Sequence, residues 1–236
     1  MNAPLAKHTF RVVDSDLVEI ENHILRMLAQ VGQQLDSVIE ALRGMRSEFS
    51  DGVVVEDAKL TTMLTEVERL ALRFIALRQP VAVDLRATVA AMRMAHHLER
   101  MGDYTKDVAR RIHTLSNQNL SCTIEPVIQM AVRLAEAIKD SVVAYTNRDV
   151  GKALRVWSGD EEIDLLNNAA FSETLQHMST HSQEVIGASH LLFMARDMER
   201  LGDHLTDVVE DIYFMITGEP VREPRPKADA TPHMMG

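Results

Sequence analysis

Two stretches of the chain carry carboxylates at a spacing that suits a metal ion. Residues 94–112 read MAHHLERMGDYTKDVARRI and residues 194–212 read MARDMERLGDHLTDVVEDI, so the stretch occurs twice, one hundred positions apart. Both copies keep the pattern E-R-x-G-D-x-x-x-D-V, with acids at steps of four. Residues four apart lie on the same face of a helix. The first acid row is therefore Glu99, Asp103 and Asp107, and the second acid row is Glu199, Asp203 and Asp207.

The acid rows are predicted to point away from the helical core. At about 100° per residue, the apolar side chains of the first copy fall on one side of the helix and the acids nearly opposite. Such a row is either a solvated surface or a cation site. Like charges four residues apart destabilise a helix by about 0.2–0.5 kcal/mol per pair. A duplicated row therefore favours a bound cation, and the solvated surface remains the alternative.

One row supplies too few oxygens for a hard cation, which takes six or more ligands. In the second half, Asp160 and Asp164 stand four apart on the preceding helix and are predicted to contribute. In the first half the corresponding candidate is Glu68, for which an ion pair with Arg69 or Arg73 is the alternative. Oxygen ligands favour Mg²⁺, Mn²⁺ or iron over zinc, which prefers Cys and His.

The two acid rows differ in their local positive charge. Four basic residues stand around the first row: Arg100, Lys106, Arg110 and Arg111. The second copy replaces the last three with Thr206, Glu210 and Asp211. We therefore expect the second row to bind metal more tightly than the first.

Glycines and histidines stand beside both rows. Gly102 and Gly202 lie in the middle of predicted helices, where glycine costs about 0.5–1 kcal/mol relative to alanine. The cost is explained by close approach of a neighbouring helix or of an ion cluster, or by simple packing of small residues. His96, His97 and His204 are interpreted as solvated surface residues, and the alternative is that they complete a metal site.

The composition predicts an all-α protein. Hydrophobic residues make up 46% of the 236 positions but aromatic residues only 4%, which suits helix packing better than sheets. A net charge of −10 argues against binding to nucleic acid. The lone Cys122 excludes an internal disulfide and suits a reducing compartment. No signal peptide or membrane span is predicted, so we expect a soluble, cytoplasmic protein without membrane insertion.

The helical periodicity divides the chain into two similar halves. The first half is predicted to hold helices from about residues 14–16 to 44, from 56 to 78 and from 80 to 113–119, with a turn at 51–52. The second half is predicted to hold helices over 127–145, over 149–177 with an interruption near 158–159, and up to 218. The predicted domains are an N-terminal arm (1–15), two tandem three-helix bundles (16–119 and 120–218) and a disordered tail (219–236).

These motifs together resemble the PhoU family. The resemblance rests on both E-R-x-G-D-x-x-x-D segments, on ALRQPVAVDLR at residues 76–86, and on the two three-helix halves. It implies that E/D-x-x-x-D motifs hold multinuclear metal clusters on the bundles, with Glu99, Asp103, Glu199 and Asp203 as ligands and Asp107 and Asp207 one turn further on. Glu68 and Asp164 match the acidic position of the preceding helix. Leu64 stands where the second half has Asp160, which weakens the first site.

The resemblance also implies a non-catalytic regulatory role. Proteins of this family repress the phosphate-starvation response by linking the ATPase of the phosphate ABC transporter to a sensor histidine kinase, and a homodimer is expected. One alternative is a carboxylate-bridged di-metal enzyme, although no histidine follows a Glu or Asp by three positions as ferritin-like sites require. The other is a metal-independent protein whose acids bind a basic partner, in which case salt rather than chelators would weaken the complex.

Overall fold

The computed structural model describes residues 5–44, 47–116, 120–225 and 227–228, with side chains from residue 15 onward except at 47–51 and 54–57. Within these ranges there is no β-strand, which confirms the predicted all-α class. The helices are α1 (Leu5–Gly44), α2 (Ser47–Arg78), α3 (Ala82–Leu115), α4 (Glu125–Asn147), α5 (Val150–Ser158), α6 (Asp160–Thr180) and α7 (Val185–Thr217). A short 3₁₀ turn (Ser182–Glu184) precedes α7.

The helices form two tandem bundles, as the duplication predicts. Helices α1, α2 and α3 pack on one another in the first half, and α4 to α7 in the second, where α5 and α6 together take the place of one interrupted helix. The most extensive contact between any two helices joins α3 to α7, and α1 also packs on α4. Residues 93 and 211 meet near one end of the α3–α7 pair and residues 111 and 197 near the other, so the two helices run antiparallel.

Several predicted boundaries shift in the structure. Helix α1 begins at Leu5, so residues 5–15 of the predicted arm are helical. Helix α2 begins at Ser47 and continues through Asp51 and Gly52. The prediction of a turn at these two residues is therefore wrong. The burial of Val53 against the core offsets the cost of a glycine inside the helix. The predicted interruption is confirmed, since Gly159 ends α5 and precedes α6.

The predicted apolar stripes form the core. On α3 the stripe is buried and consists of Met94, Leu98, Met101 and Val108. The equivalent stripe on α7 is buried in the same way and consists of Met194, Met198, Leu201 and Val208. Methionine fills irregular gaps between helices, which suits the low aromatic content of this chain. No helix in the described part of the chain has an apolar stretch long enough to span a bilayer.

The two mid-helix glycines differ in the space around them. A Cβ atom at Gly102 would overlap Cδ1 of Leu60, a fully buried residue of α2. A Cβ atom at Gly202 would lie 3.4 Å from Asp160 Oδ1 and 3.5 Å from Ile163 on α6, which is ordinary contact. Close approach of a neighbouring helix therefore accounts for Gly102, whereas the space around Gly202 does not require a glycine.

Gly102→Ala should destabilise the protein, whereas Gly202→Ala should not. The first substitution gains about 0.5–1 kcal/mol in helix propensity but forces Leu60 to move, at a cost of about 1–3 kcal/mol for overpacking. The second gains the same propensity without a clash. Urea unfolding of the two variants, which differ only in the repeat they occupy, measures the contrast. Equal stability changes would contradict the packing difference.

Candidate metal centre

Acids from two helices converge in the second half of the chain. Asp160 begins α6, and Asp203 lies in the middle of α7. Both carboxylates contact one nitrogen, Nη2 of Arg225, at 2.9 Å and 2.8 Å. Asp164, one turn after Asp160, accepts a hydrogen bond from the backbone N–H of Ala228 at 2.9 Å. We call Asp160, Asp164 and Asp203 the second acid cluster.

The positive charge at this cluster comes from the segment predicted to be a disordered tail. Arg225 Nε also donates to Asp160 at 3.0 Å, and Lys227 Nζ lies 3.2 Å from Asp203. The carbonyl of Ala228 accepts from the Asn168 side chain at 2.6 Å. Residues 225, 227 and 228 therefore lie on the cluster, and residues 229–236 lie outside the described residues. The acids outnumber the cations of their own helices, which explains why the tail is held there.

The second acid row is not uniformly directed outward. The Glu199 side chain is 4% exposed and contacts Arg196 Nη1 at 3.0 Å, while that of Asp203 is 30% exposed. Asp160 and Asp164 are also buried, because α6 and the tail cover this side of α7. Burial raises the pKa of Asp160, and Asp164 and Asp203 raise it further, against the lowering effect of Arg225. The alternative of a solvated surface is therefore wrong for Glu199, Asp160 and Asp164, which are buried.

The first acid row is neutralised from within its own helix. Asp103 contacts Lys106 at 2.7 Å and Arg100 at 3.1 Å, and Asp107 contacts Arg110 at 3.4 Å. This is the local compensation that the sequence indicated.

The two remaining candidate ligands of the first half, Glu99 and Glu68, contact a neutral and a weakly basic group. Glu99 accepts a hydrogen bond from the Thr61 hydroxyl at 3.3 Å. Glu68 lies 3.0 Å from His96 Nε2, so the alternative ion pair with Arg69 or Arg73 is wrong. Those arginines contact other acids, Glu66 and Asp16 respectively.

A third group of ligand-type side chains lies between α3 and α7. His97 Nδ1 and His204 Nδ1 are 3.0 Å apart, and Asp207 Oδ2 lies 3.5 Å from the first and 3.8 Å from the second. Both imidazoles are about one-quarter exposed, so their interpretation as solvated surface residues is wrong. Burial lowers the pKa of both histidines, against the raising effect of Asp207. We call His97, His204 and Asp207 the histidine cluster.

The sequence interpretation missed Asp211, which lies behind the histidine cluster. Its carboxylate is 3% exposed; Oδ1 lies 3.2 Å from Arg93 Nε, and Oδ2 lies 4.0 Å from His97 Nε2. Burial raises the pKa of Asp211 to about 7, even though Arg93 lowers it. The signal was present in the sequence, because His204, Asp207 and Asp211 follow one another at steps of three and four along one helix face.

Comparison with known proteins identifies relatives over nearly the whole chain. The PhoU domain profile matches residues 24–112 and 127–212, the two repeats. A protein named phosphate-specific transport system accessory protein PhoU homolog, from Caulobacter vibrioides, is 37% identical, covering 95% of this chain and 98% of its own. A protein of the same name from Zymomonas mobilis is also 37% identical, covering 92% of this chain and 91% of its own.

Solved structures agree in fold. The crystal structure of PhoU from Pseudomonas aeruginosa matches with a TM-score of 0.83 at 24% identity, covering 87% of this chain and 99% of that one. The structure of the phosphate transport system regulatory protein PhoU from Streptococcus pneumoniae matches with a TM-score of 0.79 at 23% identity, covering 89% and 100%. At these identities the likeness establishes the tandem helical architecture.

Asp211→Asn should change how stability depends on pH. The folded protein keeps the Asp211 proton up to about pH 7, whereas an unfolded aspartic acid loses it near pH 4. This raised pKa makes the wild type lose stability as the pH rises from about 4 to about 7. The variant lacks that loss, so its stability relative to wild type should rise over this range by on the order of 1–3 kcal/mol.

Urea unfolding at several pH values, with EDTA present throughout, measures the difference between the two proteins. A difference that stays constant from pH 4 to pH 8 would show that Asp211 ionises normally in the folded state.

Proposed function

Since the chain belongs to the PhoU family, we propose that it is a metal-binding accessory and regulatory protein of phosphate transport. In this proposal it acts in the cytoplasm as a homodimer, links the ATPase of a phosphate ABC transporter to a sensor histidine kinase, and represses the phosphate-starvation response. It is an adaptor rather than an enzyme. The observation that carries the metal-binding part is the convergence of Asp160 and Asp203, from different helices, on one Arg225 nitrogen.

The donors of the second acid cluster suit a hard divalent cation. All three side chains are carboxylates, and two of them are buried. A cation bound here would neutralise an unfavourable concentration of negative charge. Glu199, one turn before Asp203, is placed to add a fourth carboxylate. We assign Mg²⁺, Mn²⁺ or iron to this site because its donors are oxygens. The first acid row, neutralised by its own arginines and lysine, is assigned the weaker site.

An ion in this cluster has to displace the tail. Arg225 and Lys227 occupy the carboxylate oxygens that a metal would use. Two cations at contact distance from Asp203 weaken the attraction for a third by Coulomb repulsion. We therefore propose that the tail and the metal compete for the second acid cluster.

Arg225→Ala combined with Lys227→Ala should strengthen Mn²⁺ binding by tenfold or more, because it removes two competing cations from the ligands. Asp160→Asn combined with Asp203→Asn should abolish binding at the same site. Titration calorimetry on the metal-free full chain measures both effects. Arg222→Ala is the matched control, since Arg222 is 79% exposed and pairs with Glu219. Unchanged Mn²⁺ affinity in both double variants would remove this cluster from the proposal.

A surface for a protein partner is proposed at the corner between α2 and α3. Large apolar side chains are exposed there: Leu72, Leu77, Val81, Val83, Leu85 and Val89. Val81 is 75% exposed and Leu77 68%. Contiguous exposed apolar side chains mark interaction sites on proteins that are otherwise soluble. The corner lies in the segment ALRQPVAVDLR, and we propose that the transporter ATPase or the kinase binds there.

Val81→Ser combined with Val83→Ser should weaken partner binding at least tenfold while leaving the fold intact, because both side chains are exposed and lose only interface burial. Affinity for the purified kinase and for the purified ATPase is measured separately. Val143→Ser on α4, also at an exposed position, is the control. Wild-type affinity of the corner variant for both proteins would place the interface elsewhere.

The same assay tests the alternative in which the acid rows bind a basic partner without metal. A complex held by the acid rows alone would dissociate as salt is raised and would be indifferent to chelator. A complex that depends on bound metal should weaken when EDTA is added.

A further inference from the structure

We propose that His97, His204 and Asp207 form a binding site for one divalent ion of the zinc type, located between the two bundles and separate from the acid clusters. The proposed metal-binding adaptor function does not require this site. Its donor set is two imidazole nitrogens and one carboxylate oxygen, which is a different chemistry from that of the second acid cluster. Imidazole is a preferred ligand of zinc, whereas Mg²⁺ and Mn²⁺ prefer oxygen.

The three ligand atoms are already spaced for a tetrahedral ion. Atoms bound to zinc at about 2.0–2.1 Å lie about 3.3 Å from one another. Here the two Nδ1 atoms are 3.0 Å apart, and the carboxylate oxygen is 3.5 Å and 3.8 Å from them. One of these three distances is shorter than the required length and two are longer. The two Nδ1 atoms are at hydrogen-bond distance, so binding replaces the proton between them with the ion and requires both imidazole rings to turn their lone pairs toward it.

The surroundings hold the imidazoles in place. The Tyr104 ring stacks on His204, with centroids 5.7 Å apart. The Asp211 carboxylate lies on the far side of His97, 4.0 Å from Nε2. At that distance the two atoms are not hydrogen-bonded. All of these residues lie within α3 and α7, whose backbones are fixed by the most extensive helix contact in the molecule.

The duplication provides an internal comparison. One hundred positions away, the residues equivalent to His97, His204 and Asp207 are Asp197, Tyr104 and Asp107. This equivalent group has no imidazole. Its Asp197 is paired with Arg111 at 3.3 Å, so a cation from the protein already occupies that place. The described part of the chain thus offers one site of this kind, and the expected stoichiometry is one ion per chain.

The site joins the two halves of the chain. His97 belongs to α3 of the first bundle, and His204 and Asp207 belong to α7 of the second. An ion held by all three would connect the bundles at their main interface and stabilise the folded state by linkage. Three protein ligands also leave one tetrahedral position for water or for a group from a partner.

Co²⁺ is the probe, because cobalt in a four-coordinate site with nitrogen ligands absorbs strongly in the visible range, whereas octahedral all-oxygen cobalt absorbs weakly. Titration of metal-free full-length protein should give intense bands that saturate at one equivalent. Zn²⁺ should displace the cobalt, abolish the bands and raise the Tm by several degrees. His97→Gln and His204→Gln should each remove the bands and weaken Zn²⁺ binding at least tenfold.

Two controls separate this site from the acid cluster and from a folding defect. His113→Gln, an exposed histidine on α3, should keep the bands, and so should Asp160→Asn combined with Asp203→Asn. Circular dichroism of the metal-free variants reports their fold, and Asp207→Asn tests the site without altering either histidine. Weak octahedral spectra in the wild type, or intense bands that survive in a folded His97→Gln, His204→Gln double variant, would overturn the proposal.

Discussion

The antiparallel contact between α3 and α7 is the interaction on which the rest of the structure depends. It places the two copies of the duplicated stretch against each other, each with its apolar stripe buried in its own bundle. Near the ends of the contact, Arg93 pairs with Asp211 and Arg111 with Asp197. Arg111 also stacks on Phe193, which is the duplicate of Arg93. Pairs equivalent in the duplication therefore differ in chemistry, so the interface is only approximately two-fold.

The excess negative charge of the acid rows is neutralised by different groups in the two halves. In the first copy, cations three residues away on the same helix neutralise the acids at short range. In the second copy Lys106 and Arg110 are replaced by Thr206 and Glu210, and the acids are also more deeply buried between α6 and α7. Burial of like charges without compensation is costly, and Arg225 and Lys227 supply the compensation from outside the bundle. The chain thus carries one acid row that is neutralised largely by its own helix and one that is neutralised by a segment from outside the bundle.

The parts of this arrangement that could be predicted from the sequence are those that depend on local periodicity. The apolar stripe through Met94, Leu98 and Met101 predicted the buried side of α3, and the break at Gly159 and the end at Gly218 follow from glycine at those positions. Long-range contacts were not predictable in this way. The tail contacts Asp160 and Asp164 across more than 60 residues of sequence, and its proline-rich composition indicated disorder instead. Likewise, His97 and His204 are 107 positions apart, and each by itself resembles a surface histidine.

A regular spacing of acids does not produce a uniform site. Glu199, Asp203 and Asp207 follow one another at steps of four, yet each meets a different neighbour: an arginine of α7, the tail, and the histidines of α3 and α7. A helix fixes only the direction in which its side chains leave the axis. The elements packed on it determine the charge and burial that each side chain meets. Because α6 and the tail cover Asp203 while α3 contacts Asp207, one sequence motif provides a carboxylate to an all-acid cluster and another to a cluster with two histidines one helical turn away.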